Sequence, residues 1–309
     1  MGIRRIYIII FFGILGLYGC NNDDNTTGPD EGLPDWKLGD VFYDENEWIE
    51  CIVGDMPLVI SVPHGGDLKP EEVPDRVCDG ITTVRDTGTM ELAEAIRKEM
   101  QEKYGKTPYI IISHIARTKI DLNREIEEAT CNNEEVIQTW HDFHDFVETS
   151  LQLSVKNHGK TLYIDLHSHG HTIQRLELGF GLTANRLGKV YTGHELQDIA
   201  EESSVNNLLK DNENYTVRDV LIGDKAFGTL MTDRGLPSVP SKQDPYPMTN
   251  ETYFNGGFNT RLYTSVDFPD ISGWQIETNT EARNSRERRA KFAGAFCESY
   301  FEFIGTFYP

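Results

Sequence analysis

Three short apolar runs constrain the fold of this chain more than anything else in it: "PLVISV" from Pro57, "PYIIIS" from Pro108 and "TLYIDL" from Thr161. Each is six residues long, is rich in Ile, Val, Leu or Tyr and is followed by a turn or a polar cluster, the pattern of a buried strand. Helical patterns lie between them. In "DTGTMELAEAIRKEMQEKYG", Met90, Ala93, Ile96, Met100 and Tyr104 share one side, with Asp86 or Thr87 available as cap and Gly105 then Pro108 to end the helix. Val136, Trp140, Phe143, Val147 and Leu151 repeat at helical spacing, and a last helix is expected from about Glu281, with Phe292, Phe296 and Phe303 inward. Strands alternating with helices of this length predict an α/β fold with a mainly parallel sheet covered on both faces. Ligands of such sheets bind beyond the carboxyl ends of the strands.

The ends of the chain are read separately. Arg4 and Arg5 precede an apolar run, Ile6 to Gly19, that ends at Cys20. The run is shorter than the ~20 residues of a membrane-spanning helix. A basic start, a short apolar core and a small residue before the cut describe a secretory signal, and "LYGC" looks like a bacterial lipobox, with Cys20 as the lipidated mature N-terminus. Residues 1–20 are therefore expected to be a signal peptide, 21–35 a polar tether, and 36–309 a single domain, held at the cell envelope by a lipid anchor at Cys20. Cys51, Cys78, Cys131 and Cys297 remain; an even number in an exported chain permits two disulfides, and buried free thiols are the other reading. With 309 residues and a formal net charge of −21, the chain lacks the basic face of a nucleic-acid binder.

The chemistry-bearing residues fall at strand ends. "SVPHGGD" puts His64 after the first strand, with Gly65 and Gly66 free to turn sharply and leave room for a substrate. Asp86 opens the following helix. "YIDLHSHGH" delivers Asp165, His167, His169 and His171, and "SGWQIETN" carries Glu277. Two histidines and a carboxylate from such loops suit a catalytic zinc ion with an open position for water. A further glutamate can take that water's proton and pass it to the leaving nitrogen. Each piece has a plainer reading: a hydrogen-bonded strand-end histidine, a helix cap, a surface glutamate.

Their order carries a resemblance. "IDLNRE" (Ile120 to Glu125), "IDLHSH" and "WQIET" resemble, in sequence order, the motifs of zinc carboxypeptidases. "PHGG", the acidic helix start, an Arg…Asp-Leu-Asn-Arg segment, "FH" at Phe143-His144 and "FNGGFNTR" (Phe254 to Arg261) resemble more closely the N-formylglutamate amidohydrolase family of the same superfamily. The resemblance spans about Leu58 to Phe296. It implies a three-layer α/β/α sandwich with a mixed central sheet, and one Zn2+ ion held by His64, Asp86 and His167. Asp67, three residues after His64, is the other candidate for the acidic ligand, and His169 a weaker one. Glu277 is implied as the proton-transferring base, and Asn123 with Arg124 as the grip on a substrate carboxylate. Arg117 and Arg261 are further cations, either of which could polarise the scissile carbonyl. Asp165 could orient His167, whereas His144 reads as a packed structural residue. The implied activity is hydrolysis of an N-acyl amino acid amide of the N-formylglutamate kind. The alternatives are an envelope carboxypeptidase acting on peptides, or a ligand-binding lipoprotein that keeps the fold without catalysis.

Overall fold

A computed structural model describes residues 32–210 and 212–308. The expected signal peptide, Cys20 and most of the tether lie outside the described residues. Eight strands, β1 (Val41–Tyr43), β2 (Ile49–Ile52), β3 (Leu58–Val62), β4 (Tyr109–Ser113), β5 (Thr161–Ser168), β6 (Leu176–Gly179), β7 (Ser238–Val239) and β8 (Ile271–Thr278), form one sheet in the order β1-β2-β4-β3-β5-β8-β6-β7. The central strands β4, β3, β5 and β8 run parallel, while β2 and β6 pair antiparallel to them. The sheet is thus mixed and mainly parallel.

The three apolar runs form the middle of this sheet because a strand covered on both faces must be apolar on both. Leu58, Ile60 and Val62 of β3 join one core with Leu92, Ile96 and Met100 of the helix Thr89–Tyr104 and with Phe292, Phe296 and Phe303 of the helix Arg286–Phe307. Val59 points the other way, as strand alternation requires, and packs with Ile111, Tyr163 and the Phe143–Val147–Leu151 stripe of the helix Ile137–His158. Helix, sheet and helix make the three layers.

Two helix starts differ from expectation. The helix after β3 is capped by Gly88, in the left-handed region at φ 85°, rather than by Asp86 or Thr87. The Asp86 carboxylate is therefore not spent on helix N–H groups. The last helix does not run unbroken from Glu281: a short turn, Thr280–Arg283, breaks at Asn284, and Ser285 caps the long helix through its hydroxyl. Strands β1, β2, β6 and β7 lie outside the three runs that pattern alone singles out.

The cysteines divide by position. Cys78 and Cys131 form a disulfide that ties the irregular 66–88 segment to the end of the short helix Ile126–Thr130. Cys51 lies in the core on one face of the sheet and Cys297 in the core on the other, so these two cannot pair. Burial pushes both thiols up to about 12, which keeps them unreactive.

His144 is a packed residue, as its helical position suggests. It is buried, its Nδ1 lies 2.5 Å from the Tyr263 hydroxyl, and its ring lies 4.0 Å from that of Trp140.

Two stability outcomes follow. Replacing Cys78 and Cys131 together by serine is expected to lower the unfolding free energy by about 2–4 kcal/mol, read by urea denaturation, because the bridge closes a long loop of the unfolded chain. Burial pushes the His144 pKa down to about 3. Below about pH 6.5 the unfolded chain then takes up a proton that the folded chain refuses. His144 therefore costs stability progressively as pH falls from 6.5 towards 3. A His144→Asn variant should show a shallower loss of stability over that window in thermal melts across pH.

Candidate active site

Residues from four chain segments meet at the carboxyl ends of β3, β5 and β8. His64 follows β3, and its carbonyl accepts the Asp86 N–H at 3.0 Å, which ties the first candidate ligand to the second despite the long loop between them. His167 is the seventh residue of β5. The two Nδ1 atoms lie 3.2 Å apart; Asp86 Oδ2 lies 3.0 Å from His167 Nδ1 and 3.6 Å from His64 Nδ1. All three side chains are buried. These edges are the spacing of ligand atoms around one tetrahedral ion with bonds of about 2.0–2.1 Å.

The far side of each ring is held by a carboxylate. His64 Nε2 lies 2.6 Å from Asp121 Oδ1, and His167 Nε2 lies 2.9 Å from Asp165 Oδ2. At His64, an Nε2–H directed at Asp121 leaves Nδ1 as a lone pair, the tautomer a metal needs, and raises its basicity. Asp121 is itself clamped by Arg117, with Nε at 3.0 Å and Nη2 at 2.9 Å, and Asp165 accepts the Ser61 hydroxyl at 2.6 Å. The electrostatics agree. Burial alone would raise the carboxyls of Asp86 and Asp121, yet His167 and His64 hold Asp86, and His64 with Arg117 and Arg124 holds Asp121, well below the usual range. Burial opposes a proton on His167, but the charge and hydrogen bond of Asp165, with Asp86, hold its pKa well above the ordinary value. These residues fit a zinc ion.

Glu277 is next in line. It pairs directly with His167 in the β5–β8 register, so both project from one face. Its Oε1 accepts the Gln275 side-chain amide at 2.8 Å, while Oε2 is buried with no hydrogen-bond partner among the described residues. Burial, with the neighbouring charges of Asp86 and Glu177, pushes its carboxyl up to about 8.

The remaining candidates separate. Asp67 is largely exposed and bound to Arg85 at 2.7 Å, apart from the cluster, so Asp86 is the acidic member of the triad. Asn123 is buried, with Nδ2 3.2 Å from His167 Nε2 and Oδ1 accepting the Asn259 N–H at 2.8 Å; its side chain braces His167. Arg117 likewise stands behind His64, on Asp121. Arg124 and Arg261 line one surface cavity of about 320 Å³ with Phe258 and Glu128, and Arg124 Nε meets Glu128 at 2.7 Å. His169 and His171 turn towards Glu177 instead. The two glycines after His64 leave no room for a substrate: a Cβ at Gly65 would meet Met90 and Thr89, and one at Gly66 the His114 carbonyl. Close packing accounts for them. Gly256 and Gly257 of "FNGG" are similar, the first at φ 119° against β6 and the second against the Asn123 amide.

Sequence reading passed over Asp121, Glu177 and Arg283. The first stood inside the "DLNR" segment, and the second is a lone acid in the apolar run "LELGFGL". Arg283 is buried beyond β8, donating to the His169 carbonyl at 3.2 Å. The charges of Asp86 and Glu277 support its proton against burial.

No protein-family model matches the chain, and no curated protein matches it in sequence. Among solved structures it is similar to an N-formylglutamate amidohydrolase from Ralstonia eutropha JMP134, at 12% identity and a TM-score of 0.51, over 84% of this chain and 98% of that one. The chain shares the N-formylglutamate amidohydrolase fold. The gene product Atu2144 from Agrobacterium tumefaciens matches at 12% identity and a TM-score of 0.48, over 86% of this chain and 99% of that one. At these identities the likeness is one of fold, and the site stands on its own geometry.

Two sets of variants test the assignment by competition of chelator and protein for zinc. His64→Ala and Asp86→Ala should abolish tight binding, whereas Asp67→Ala should leave it unchanged. Asp121→Asn, which keeps shape and removes the charge behind His64, should weaken zinc binding about 10–100-fold.

Proposed function

We propose that this protein is a zinc-dependent amidohydrolase acting on a small carboxylate-bearing amide, an N-acyl amino acid of the N-formylglutamate kind. The observation that carries the reading is the triad of His64, Asp86 and His167, with Glu277 and its bare Oε2 one strand away. The name of the solved structure with the same fold, an N-formylglutamate amidohydrolase, lends support to amide hydrolysis as the reaction class.

When bound, zinc supplies Lewis acidity towards the carbonyl and lowers the pKa of water from ~16 towards ~7. The chain's own residues do the rest. His64, Asp86 and His167 would hold the ion, and Asp121 keeps the His64 ring in the ligating tautomer. Glu277 takes the proton of the attacking water through Oε2. Its Oε2, with no other hydrogen-bond partner among the described residues, is free to accept that proton and to pass it to the leaving nitrogen. Arg124 and Arg261, which share a cavity, receive the substrate carboxylate, since a guanidinium fork matches two carboxylate oxygens. Arg124 exchanges its pair with Glu128 for that contact. Arg117 and Asn123 act one step back, on the groups that hold the metal ligands.

The same proposal places the enzyme outside the cytoplasm, lipid-anchored at Cys20 on the bacterial envelope. The Cys78–Cys131 disulfide supports this, because such bonds persist in oxidising compartments.

A screen of zinc-loaded protein against N-formyl, N-acetyl and longer N-acyl amino acids and dipeptides tests the activity. Turnover is expected for acidic N-acyl amino acids. Glu277→Gln should keep one zinc per chain and lose about 10²–10⁴-fold in kcat. A Glu277→Gln protein as active as wild type would sink the mechanism. Arg124→Met should raise KM while changing kcat less.

A further inference from the structure

A second group of metal-ligating side chains lies outside the triad, and amide hydrolysis as read above gives it no task. "HSHGH" places His169 and His171 two residues apart just after β5, and Glu177 follows on β6. Ligand-type atoms of these three residues lie within 4.8 Å of one another. Two imidazoles and one carboxylate are a donor set for zinc; Mg2+ and Ca2+ take oxygen ligands.

The far atoms of the group are held by the backbone. A carbonyl only accepts, so His169 Nε2 donates to the Arg175 carbonyl at 2.8 Å and Nδ1 keeps the lone pair. Glu177 Oε2 accepts the Phe254 N–H at 2.8 Å, which leaves Oε1 for the near side. Partners of this kind fix the tautomer and the aim of a metal ligand. The His171 ring is set by stacking on Phe254, with centroids 4.7 Å apart, and its side chain keeps an exposed edge. On the near side His171 Nδ1 lies 2.8 Å from Glu177 Oε1, and the two histidine rings lie 4.9 Å apart. An ion takes the place of the hydrogen shared by Nδ1 and Oε1, and that edge then opens to about 3.3 Å, the ligand spacing of a tetrahedral ion with bonds of about 2.0–2.1 Å.

The sheet keeps this group apart from the triad. Glu177 of β6 pairs directly with Glu277 of β8, which pairs directly with His167 of β5. Two strand spacings separate Glu177 from His167, roughly 10 Å. Paired catalytic metals stand about 3.5–4 Å apart and share a substrate, so an ion at the second group takes no part in the reaction at the first. Its surroundings suit a clamp. The group joins the segment after β5, strand β6 and the "FNGG" segment, whose Gly257 packs on the Asn123 amide. Arg175, which holds His169 through its carbonyl, pairs through its side chain with Asp244 and Glu251 of the chain leading to that segment.

We propose that His169 Nδ1, His171 Nδ1 and Glu177 Oε1 form a second zinc site, weaker than the triad and structural in role, with water completing the shell. It is weaker because two hydrogen bonds are given up when the ion enters: the one between His171 Nδ1 and Glu177, and the one from the His171 backbone N–H to His169 Nδ1 at 3.1 Å. At the triad the two Nδ1 atoms already face each other. The loss of two hydrogen bonds sets the second site about ten- to a hundredfold below the first in affinity. At low free zinc the chain then carries one ion, at the triad, and the second enters as zinc rises.

The test counts ions rather than turnover. Wild type, His171→Ala, Glu177→Gln, Asp86→Ala and the double variant Asp86→Ala/His171→Ala are brought to equilibrium by dialysis at stepped free zinc, and zinc per chain is measured. Wild type should take up two ions in two steps. His171→Ala and Glu177→Gln should keep the tight first step, which also shows that they are folded, and lose the second. Asp86→Ala should lose the first and keep the second, and zinc should still raise its melting temperature. The double variant should bind no ion and show no such rise. A wild type that stops at one ion per chain, with that ion lost in Asp86→Ala, would overturn the proposal and leave the triad as the metal site. A second step that survives in both His171→Ala and Glu177→Gln would also overturn it, since the weak ion would then sit elsewhere. Failure of the functional reading shows separately, as a wild type that binds zinc but cleaves nothing in the amide panel.

Discussion

The site depends on one contact above the others, the 2.6 Å approach of Asp121 to the far nitrogen of His64. A buried carboxylate there is costly unless it is paired. Arg117 satisfies one oxygen, and the His64 ring and the Asn123 N–H satisfy the other. That pairing fixes which nitrogen of His64 carries the proton and so which one faces Asp86 and His167. At His167 the far nitrogen meets the Asn123 amide at 3.2 Å and stands 2.9 Å from Asp165. The metal candidates are thus the inner part of a buried polar network whose outer part is structural in appearance and functional in consequence.

The fold explains why such a network can be buried at all. Parallel strands β3, β5 and β8 end on one edge, and their last residues are spaced by the sheet itself. Asp86 comes from outside the strands, but its N–H is bonded to the His64 carbonyl and its carboxylate is free because Gly88, not Asp86, opens the helix. The Cys78–Cys131 bridge holds the irregular segment that carries Asp86 against the "DLNR" side, where Asp121 arises. Through that covalent tie, loop order and ligand geometry are linked.

Much of this was legible in the sequence because it rests on local pattern. Continuous apolar runs mark β3, β4 and β5, and a histidine at a strand end is conspicuous next to glycine. The choice between Asp67 and Asp86 was not legible. It depends on where a loop of more than twenty residues returns, and only the backbone bond between Asp86 and His64 decides it. Arg117 and Asn123 were read as acting on the substrate because their chemistry permits it; the structure puts Arg117 on Asp121, four residues along the same segment, and Asn123 on His167 of β5. The glycines of "PHGG" were read as clearing space, yet the space is filled by Met90 and His114. Spacing tells which residues share a strand end, but not which of them face inward.

The charge balance links the two clusters. Asp86, Asp121, Asp165, Glu177 and Glu277 are all buried within a few strands of one another. Arg117 answers Asp121, and the His171 ring answers Glu177. Glu277 is left with a half-satisfied carboxylate between the two, its acidity set by its neighbours rather than by solvent. A carboxyl group that is buried, flanked by charge and bonded at only one oxygen is poorly placed to stabilise the fold. Its position is intelligible as a position for chemistry.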